Sequence, residues 1–219
     1  MQDHPVLTDL TPDGHDMGVV AFDVDGTLTV RDCVMPFLAG VAGPLGAVSA
    51  LARAPFVAIG TRGSARRDAV KRHAVRSCLA GRSEDEITAK GQRFAERIAR
   101  GWMREDTVAR LRLNQREGLA VVLVSASLGP YLHPLGDMLE VDAVLCTEVE
   151  FSGGVATGEI VGENCRGAEK VRRLLEWGAG AGFSGEGWLS AAYGDSGGDS
   201  EMLAAAREAV HVARIEVPA

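Results

Sequence analysis

The sequence predicts an α/β fold, a parallel sheet covered by helices on both faces, with an all-helical segment inserted after its first strand. Three observations carry that expectation. Short, β-branched apolar runs alternate with helical patterns, as the doubly covered strands of a parallel sheet do. Residues 32–117 contain almost no strand-like alternation. Polar clusters follow three of the apolar runs, at the carboxyl ends of strands where such sheets bind ligands.

The elements follow in order. Gly18 to Val24 (GVVAFDV) reads as the first buried strand, closed by an Asp-Gly turn. Apolar residues then recur at helical spacing through Ala65 to Leu79, Ile87 to Ile98 and Val108 to Leu113. Strands resume with Ala120 to Val124 and Ala143 to Cys146, and a hairpin is expected around Phe151 to Ile160, turning at Ser152-Gly153-Gly154. Gly167 to Trp177 reads as a helix and Leu189 to Tyr193 as a strand. A short helix after Asp199 and a last strand at Ala209 to Val212 complete the pattern.

Composition narrows the class. With 219 residues, 46% hydrophobic and 24% charged, the chain suits a globular soluble protein and excludes a disordered, fibrous or disulfide-dense one. Cys33, Cys78, Cys146 and Cys165 form no CxxC pair and read as reduced core thiols. Residues 1–17 lack a basic region followed by an apolar run, so no secretory signal is read and a cytoplasmic location is expected. From Cys33 to Gly60 the only charge is Arg53, yet Pro36, Pro44, Pro55 and the glycines at 40, 43, 46 and 60 break the run. Short buried or interfacial helices are expected there rather than a stable membrane span.

The net charge of −7 argues against a nucleic-acid partner. From Thr61 to Arg112, however, 14 Lys and Arg stand against 7 Asp and Glu. That basic block is either a set of solvated helix faces or a surface for an anionic substrate.

The polar clusters are Asp23-Val24-Asp25-Gly26-Thr27, Ser125, and Gly194-Asp195-Ser196-Gly197-Gly198-Asp199. Aspartates at the tips of separate buried strands converge and repel unless a cation lies between them, so a hard divalent ion is expected. No phosphate-binding GxxxxGK loop or GxGxxG follows a strand, and the histidines form no visible triad.

FDVDGTLT, the strand-end Ser125, the downstream Lys170 and GDSGGD, in that order, resemble the four motifs of the haloacid dehalogenase superfamily. The insert directly after the first motif, the Ser-Ala-Ser at 125–127, the Asn164-Cys165-x-Gly167-x-x-Lys170 stretch and GDSxxD are similar to its phosphoserine phosphatase-like subfamily IB. The resemblance implies a Rossmann-like catalytic core from residues 1–31 and 118–219 and a substrate-selecting helical cap from 32–117. It implies a Mg2+-dependent phosphatase working through a covalent aspartyl phosphate, with Asp23 as nucleophile and Asp25 as general acid and base. Gly26, Thr27, Ser125, Ala126 and Lys170 would hold the phosphoryl group, with Arg166 as an alternative source of the cation. Asp23, the backbone carbonyl of Asp25, Asp195 and Asp199 would hold the metal, although Asp199 also reads as a helix N-cap. Asp32, nine residues after Asp23, stands where phosphoserine phosphatases carry a substrate-binding glutamate, and it also reads as an N-cap.

Arg66, Arg67, Lys71, Arg72 and Arg166 are the candidates for a substrate anion. Two departures stand against phosphoserine itself. Ser125-Ala126-Ser127 replaces a Ser-Gly-Gly, and Gly198 replaces the usual asparagine. The substrate is therefore expected to be a small phosphorylated metabolite or, alternatively, a phospholipid head group at a membrane surface. A catalytically silent binding module would lack a motif aspartate, and none is missing.

Overall fold

A computed structural model describes residues 18–43 and 63–213. Five strands form one all-parallel sheet: β1 (Val19–Phe22), β2 (Ala120–Leu128), β3 (Ala143–Thr147), β6 (Leu189–Gly194) and β7 (Glu208–His211). Their order is β3-β2-β1-β6-β7, with a separate antiparallel hairpin of β4 (Val149–Ser152) and β5 (Val155–Ile160). β1 is central, and its four residues are at most 1% exposed.

Alternation along the strands divides the apolar residues between two layers. Val20, Phe22, Val121, Leu123, Ala191 and Tyr193 join the larger core cluster. Val19, Ala21, Val122, Val124, Leu189 and Ala192 face the smaller one, covered by α6 (Ala168–Gly180) and α7 (Ser200–Ala205). The Phe22 ring stacks on Tyr193 with centroids 4.3 Å apart.

The chain leaves the sheet after Leu28 and returns at Met103. Thr29 and Met103 form an antiparallel bridge. The Val30 N–H donates to the Trp102 carbonyl and the Arg104 N–H to that of Leu28, both at 2.8 Å. The excursion contains α1 (residues 34–43), α2 (Gly63–Leu79) and α3 (Glu84–Gly101). α3 starts with Ser83, whose hydroxyl accepts from the Glu86 N–H at 3.2 Å. The next helix, α4 (Glu105–Arg116), packs on β2 with Leu111 fully buried, so the last helix of the all-helical stretch lies on the sheet.

The hairpin forms as expected, with Gly153 and Gly154 at φ +60° and +76°, a tight turn only glycine adopts freely. It docks on the α2–α3 connection. Gly81 N–H donates to Ala156 O, Ala156 N–H to Arg82 O and Glu84 N–H to Gly154 O, each at 2.9 Å.

Two elements differ from the sequence expectation. β2 runs to Leu128 rather than stopping at Val124, because Leu128 pairs with Thr147 and keeps Ser125 to Ser127 in extended backbone. A helix over Gly129–Met138, α5, was not expected from a segment with prolines at 130 and 134. Pro130 sits in its first turn, where a missing N–H is harmless. Pro134 supplies no N–H to the Pro130 carbonyl, and α3 approaches that carbonyl at Gly91 instead, where a Cβ would lie 1.9 Å from the oxygen. Tyr131 of α5 packs against Phe37 of α1 at 4.9 Å and Phe94 of α3 at 5.2 Å.

All four cysteines are free and buried. The expectations for residues 1–17, and for the 44–60 part of the apolar stretch, lie outside the described residues. Among the described residues no helix is long and apolar enough to cross a membrane.

Gly91→Ala tests the α3–α5 contact. A helical Gly→Ala change ordinarily stabilises by about 1 kcal/mol. Here the added methyl meets backbone, so a loss of roughly 1–3 kcal/mol is expected in denaturant unfolding. A gain in stability would refute the close approach.

Candidate active site

The carboxyl ends of β1, β2 and β6 open on one cavity of about 740 Å³. Its floor holds Asp23, Asp25, Gly26, Ser125, Ala126, Lys170, Asp195 and Asp199, and its far wall comes from the insert through Val30 to Asp32, Val34, Met35, Arg66, Arg67, Val70 and Lys71.

Asp23 is 6% exposed and Lys170 1%. The Lys170 ammonium, carried in by the first turn of α6, donates to Asp23 Oδ1 and to Asp199 Oδ1, both at 2.6 Å. Burial alone would lower the Lys170 pKa, but the two carboxylates raise it above its ordinary value. Burial raises Asp23, and Lys170 opposes that rise. Asp199, despite its own desolvation, is held below the usual carboxylate range by Lys170. Lys170 thus supplies the cation facing Asp23.

Asp199 precedes α7 but makes no side-chain cap bond there; its second oxygen accepts from the Ser196 N–H and hydroxyl at 2.9 and 2.8 Å. Carboxylate oxygens of Asp23, Asp195 and Asp199 all lie within 4.8 Å of one another. Three hard oxygen donors facing one another across so short a span fit a divalent cation. The Asp25 side chain stands apart from this group. Gly26, at φ +87°, lets Asp195 come close, since a Cβ there would lie 2.2 Å from Asp195 Oδ2.

Asp25 points toward β2 and the insert. Its Oδ2 accepts from the Ser127 hydroxyl at 2.7 Å and its Oδ1 from the Cys33 N–H at 3.1 Å. Burial first, then the charges of Asp32 and Asp23, push its pKa up to about 7. A carboxyl in that range can both give and take a proton at neutral pH.

Thr27 corrects an expectation. Its N–H donates to the Val24 carbonyl at 3.2 Å inside the turn, and its fully buried hydroxyl donates to Asp23 Oδ2 at 3.2 Å. It orients Asp23 rather than reaching into the cavity. Arg72 is a second correction. Its guanidinium turns away from the cavity to the Gly162 carbonyl at 2.9 Å and Glu163 at 3.2 Å. Arg67 and Arg166 do line the cavity, as does Asp32, which also caps α1 by accepting from the Met35 N–H at 3.2 Å.

Lys71, although it lines the cavity, is tied to the ends of β2 and β3 rather than held free for a ligand. It donates to the Ala126 carbonyl, to Thr147 Oγ1 at 3.0 Å and to Asn164 Oδ1 at 2.6 Å, while Asn164 Nδ2 donates to Asp68 at 2.6 Å. Arg31, Ser127, Thr147 and Asp68 were not singled out from the sequence. Only Ser127 carried a signal, its departure from Ser-Gly-Gly.

A five-stranded parallel sheet with an acidic cluster and a buried lysine at its carboxyl edge, and a helical insert after β1, defines a class. The chain belongs to the haloacid dehalogenase-like hydrolase family, whose model matches residues 20–204. It is 38% identical over 196 residues to Protein CicA of Caulobacter vibrioides (strain NA1000 / CB15N), covering 89% of this chain and 86% of that protein. A protein with unknown function from Bordetella pertussis Tohama I has a similar structure, with TM-score 0.71, 24% identity and 86% of each chain covered. A phospho-aspartyl intermediate analogue of phosphoserine phosphatase shares the fold at TM-score 0.61 and 18% identity, over 88% of this chain and 84% of that one.

Burial pushes the Lys71 pKa down to about 8, against the pull of Asp25. Unfolded lysine titrates near ~10.4, so between about pH 8 and 10 the unfolded chain binds more protons and stability rises with pH. Wild type should therefore gain on Lys71→Met by on the order of 1–3 kcal/mol across that window in urea unfolding. A pH-independent difference would mean that the ammonium is not desolvated.

Proposed function

We propose that the protein is a Mg2+-dependent phosphatase that hydrolyses a small phosphomonoester through a covalent aspartyl phosphate. The observation that carries the reading is the Asp23 carboxylate. It stands at the cavity floor, gripped by Lys170 at 2.6 Å and Thr27 at 3.2 Å, within 4.8 Å of Asp195 and Asp199 oxygens. A carboxylate so held keeps an oxygen aimed at an incoming phosphorus. Its attack would form the acyl phosphate and expel an alkoxide, to which Asp25 gives a proton. Water would then attack the same phosphorus while Asp25 takes a proton from it, and phosphate, free Asp23 and a reprotonated Asp25 result.

Asp23, Asp195, the Asp25 carbonyl and, directly or through water, Asp199 would hold the metal. Bound there, it would supply charge neutralisation between carboxylates and phosphate. Gly26, Ser125, Ala126 and Lys170 line the space for the phosphoryl oxygens. The fold shared with a phospho-aspartyl analogue of phosphoserine phosphatase supports the covalent step.

The cap reading assigns substrate selection to the insert of residues 32–117, with α4 serving the sheet. Arg31, Arg66, Arg67 and Arg166 around the cavity support a substrate with a second anionic group. Val30, Val34, Met35 and Val70 in the same wall favour a second reading, a phospholipid head group with an apolar part. A panel of phosphorylated metabolites and phosphatidylglycerol phosphate in vesicles separates the two. The four buried free thiols fit a reducing, cytoplasmic location.

Asp23→Asn should leave a folded protein that has lost at least about 10³-fold in turnover of p-nitrophenyl phosphate, or roughly 4 kcal/mol of barrier. Chelation should abolish wild-type turnover and Mg2+ restore it. Retained activity in either case would sink the mechanism.

Arg67→Ala should lose roughly 10- to 150-fold in kcat/KM on the best natural substrate, at high as well as low salt, and little on p-nitrophenyl phosphate. A small loss that fades with salt would reduce Arg67 to general steering.

A further inference from the structure

We propose that Ser127, held in turn by Tyr131, is the positioning residue for the Asp25 carboxyl, which accounts for the serine at 127 near the end of β2. The inference rests on the acid and base role proposed for Asp25. Its geometry is a buried chain of hydroxyls. The Tyr131 phenol donates to Ser127 Oγ at 2.8 Å, and Ser127 Oγ donates to Asp25 Oδ2 at 2.7 Å. Ser127 and Tyr131 are both fully buried.

The polarity of the chain follows from hydrogen-bond chemistry. In its ionised form Asp25 only accepts, so the single Ser127 proton then goes to Asp25 Oδ2, and the serine oxygen accepts from the phenol. Each donor is thereby held in one rotamer by the next group along. The Ser127 N–H donates to Ser125 Oγ at 3.1 Å, which fixes the backbone from which the hydroxyl reaches.

The Asp25 carboxyl is thus held from two sides. Oδ2 is held by the core through Ser127, and Oδ1 by the N–H of Cys33 just before α1. The far end of the chain is equally fixed, because Phe37 and Phe94 from the insert pack on the Tyr131 ring. A glycine at 127 would leave Asp25 Oδ2 without its serine and Tyr131 without its acceptor. Of the two residues that depart from Ser-Gly-Gly, Ala126 and Ser127, the second is therefore the one that touches the acid.

A positioning role differs from a purely structural one in its dependence on the leaving group. Alkyl phosphates need the proton that Asp25 delivers, whereas p-nitrophenolate needs little help. Ser127→Ala should lose about 10- to 100-fold in kcat/KM on alkyl phosphates and less than about 3-fold on p-nitrophenyl phosphate, because kcat/KM reports the departure of the leaving group and not the later hydrolysis of the aspartyl phosphate that both substrates share. Tyr131→Phe, which keeps the ring packing, should show the same pattern more weakly and serves if Ser127→Ala fails to fold. In an Asp25→Asn background, Ser127→Ala should add almost nothing.

Equal losses on both leaving groups, or full additivity with Asp25→Asn, would overturn the positioning role. A crystal structure of Ser127→Ala reads the same point without turnover: Asp25 should spread over more than one rotamer, and an unchanged single rotamer overturns the inference. Activity that survives Asp23→Asn would instead overturn the phosphatase reading, so the two failures are distinguishable.

Discussion

The active-site edge of the sheet depends on one buried ammonium. Lys170 lies between Asp23 and Asp199 with 2.6 Å contacts to each, and all three groups are almost sealed from water. Taking such charges out of water costs several kcal/mol each, and mutual attraction offsets this only when geometry is close and every remaining proton is satisfied. Two short bonds to one lysine meet that condition. Removing the lysine would leave two desolvated carboxylates facing each other, so one of them would hold a proton. An ionised Asp23 therefore depends on a residue from a helix 147 positions further along the chain.

That dependence explains the topology around it. Asp23 stands at the end of β1 and Asp199 after β6, and these strands are hydrogen-bonded neighbours, so their carboxylates meet without any long loop. α6 covers the opposite face and delivers Lys170 from its first turn. The insert is tied on separately. The β4–β5 hairpin makes backbone bonds to the α2–α3 connection, and Lys71 crosses from α2 to Ala126, Thr147 and Asn164. The wall above the carboxylates is thus fastened to the carboxyl ends of β2 and β3, not only to the Thr29–Met103 crossing.

Legibility in the sequence followed the same division. The strands and their order of chemistry were readable because buried parallel strands are apolar runs with polar residues collected at one end. Asp23, Asp25, Ser125, Asp195 and Asp199 line the cavity at the strand ends where that pattern gathers polar residues, and Lys170, which only the family resemblance singled out, lines it with them. α5 was unreadable because prolines at 130 and 134 argue against a helix, and the compensation, the approach of Gly91 to the Pro130 carbonyl, lies in another element. Arg72 and Lys71 were indistinguishable in sequence as neighbouring cations on α2. A rotation of one residue sends the first to Gly162 and Glu163 and the second to the ends of β2 and β3. Thr27 resembled a phosphate donor because a turn sequence does not say which of its N–H groups the turn itself consumes.

The departures from Ser-Gly-Gly and from the usual asparagine have a common physical sense. Gly198 faces Arg166, and a Cβ at 198 would lie 2.7 Å from Arg166 Nη1. A larger residue would therefore displace the guanidinium, the movable partner, from the cavity wall it now lines. The missing side chain at 198 and the cation at 166 are one feature, a site that exchanges a neutral amide for a charge brought from the helix-α6 approach. At 127 the exchange runs the other way, a glycine replaced by a hydroxyl that reaches Asp25. The hydroxyl at 127 reaches Asp25 and the space beside 198 holds Arg166, so in the proposed reaction these two changes act on the surroundings of the leaving group rather than on Asp23 and Lys170. A rebuilt leaving-group side with Asp23 and Lys170 retained is what a change of substrate with unchanged chemistry requires.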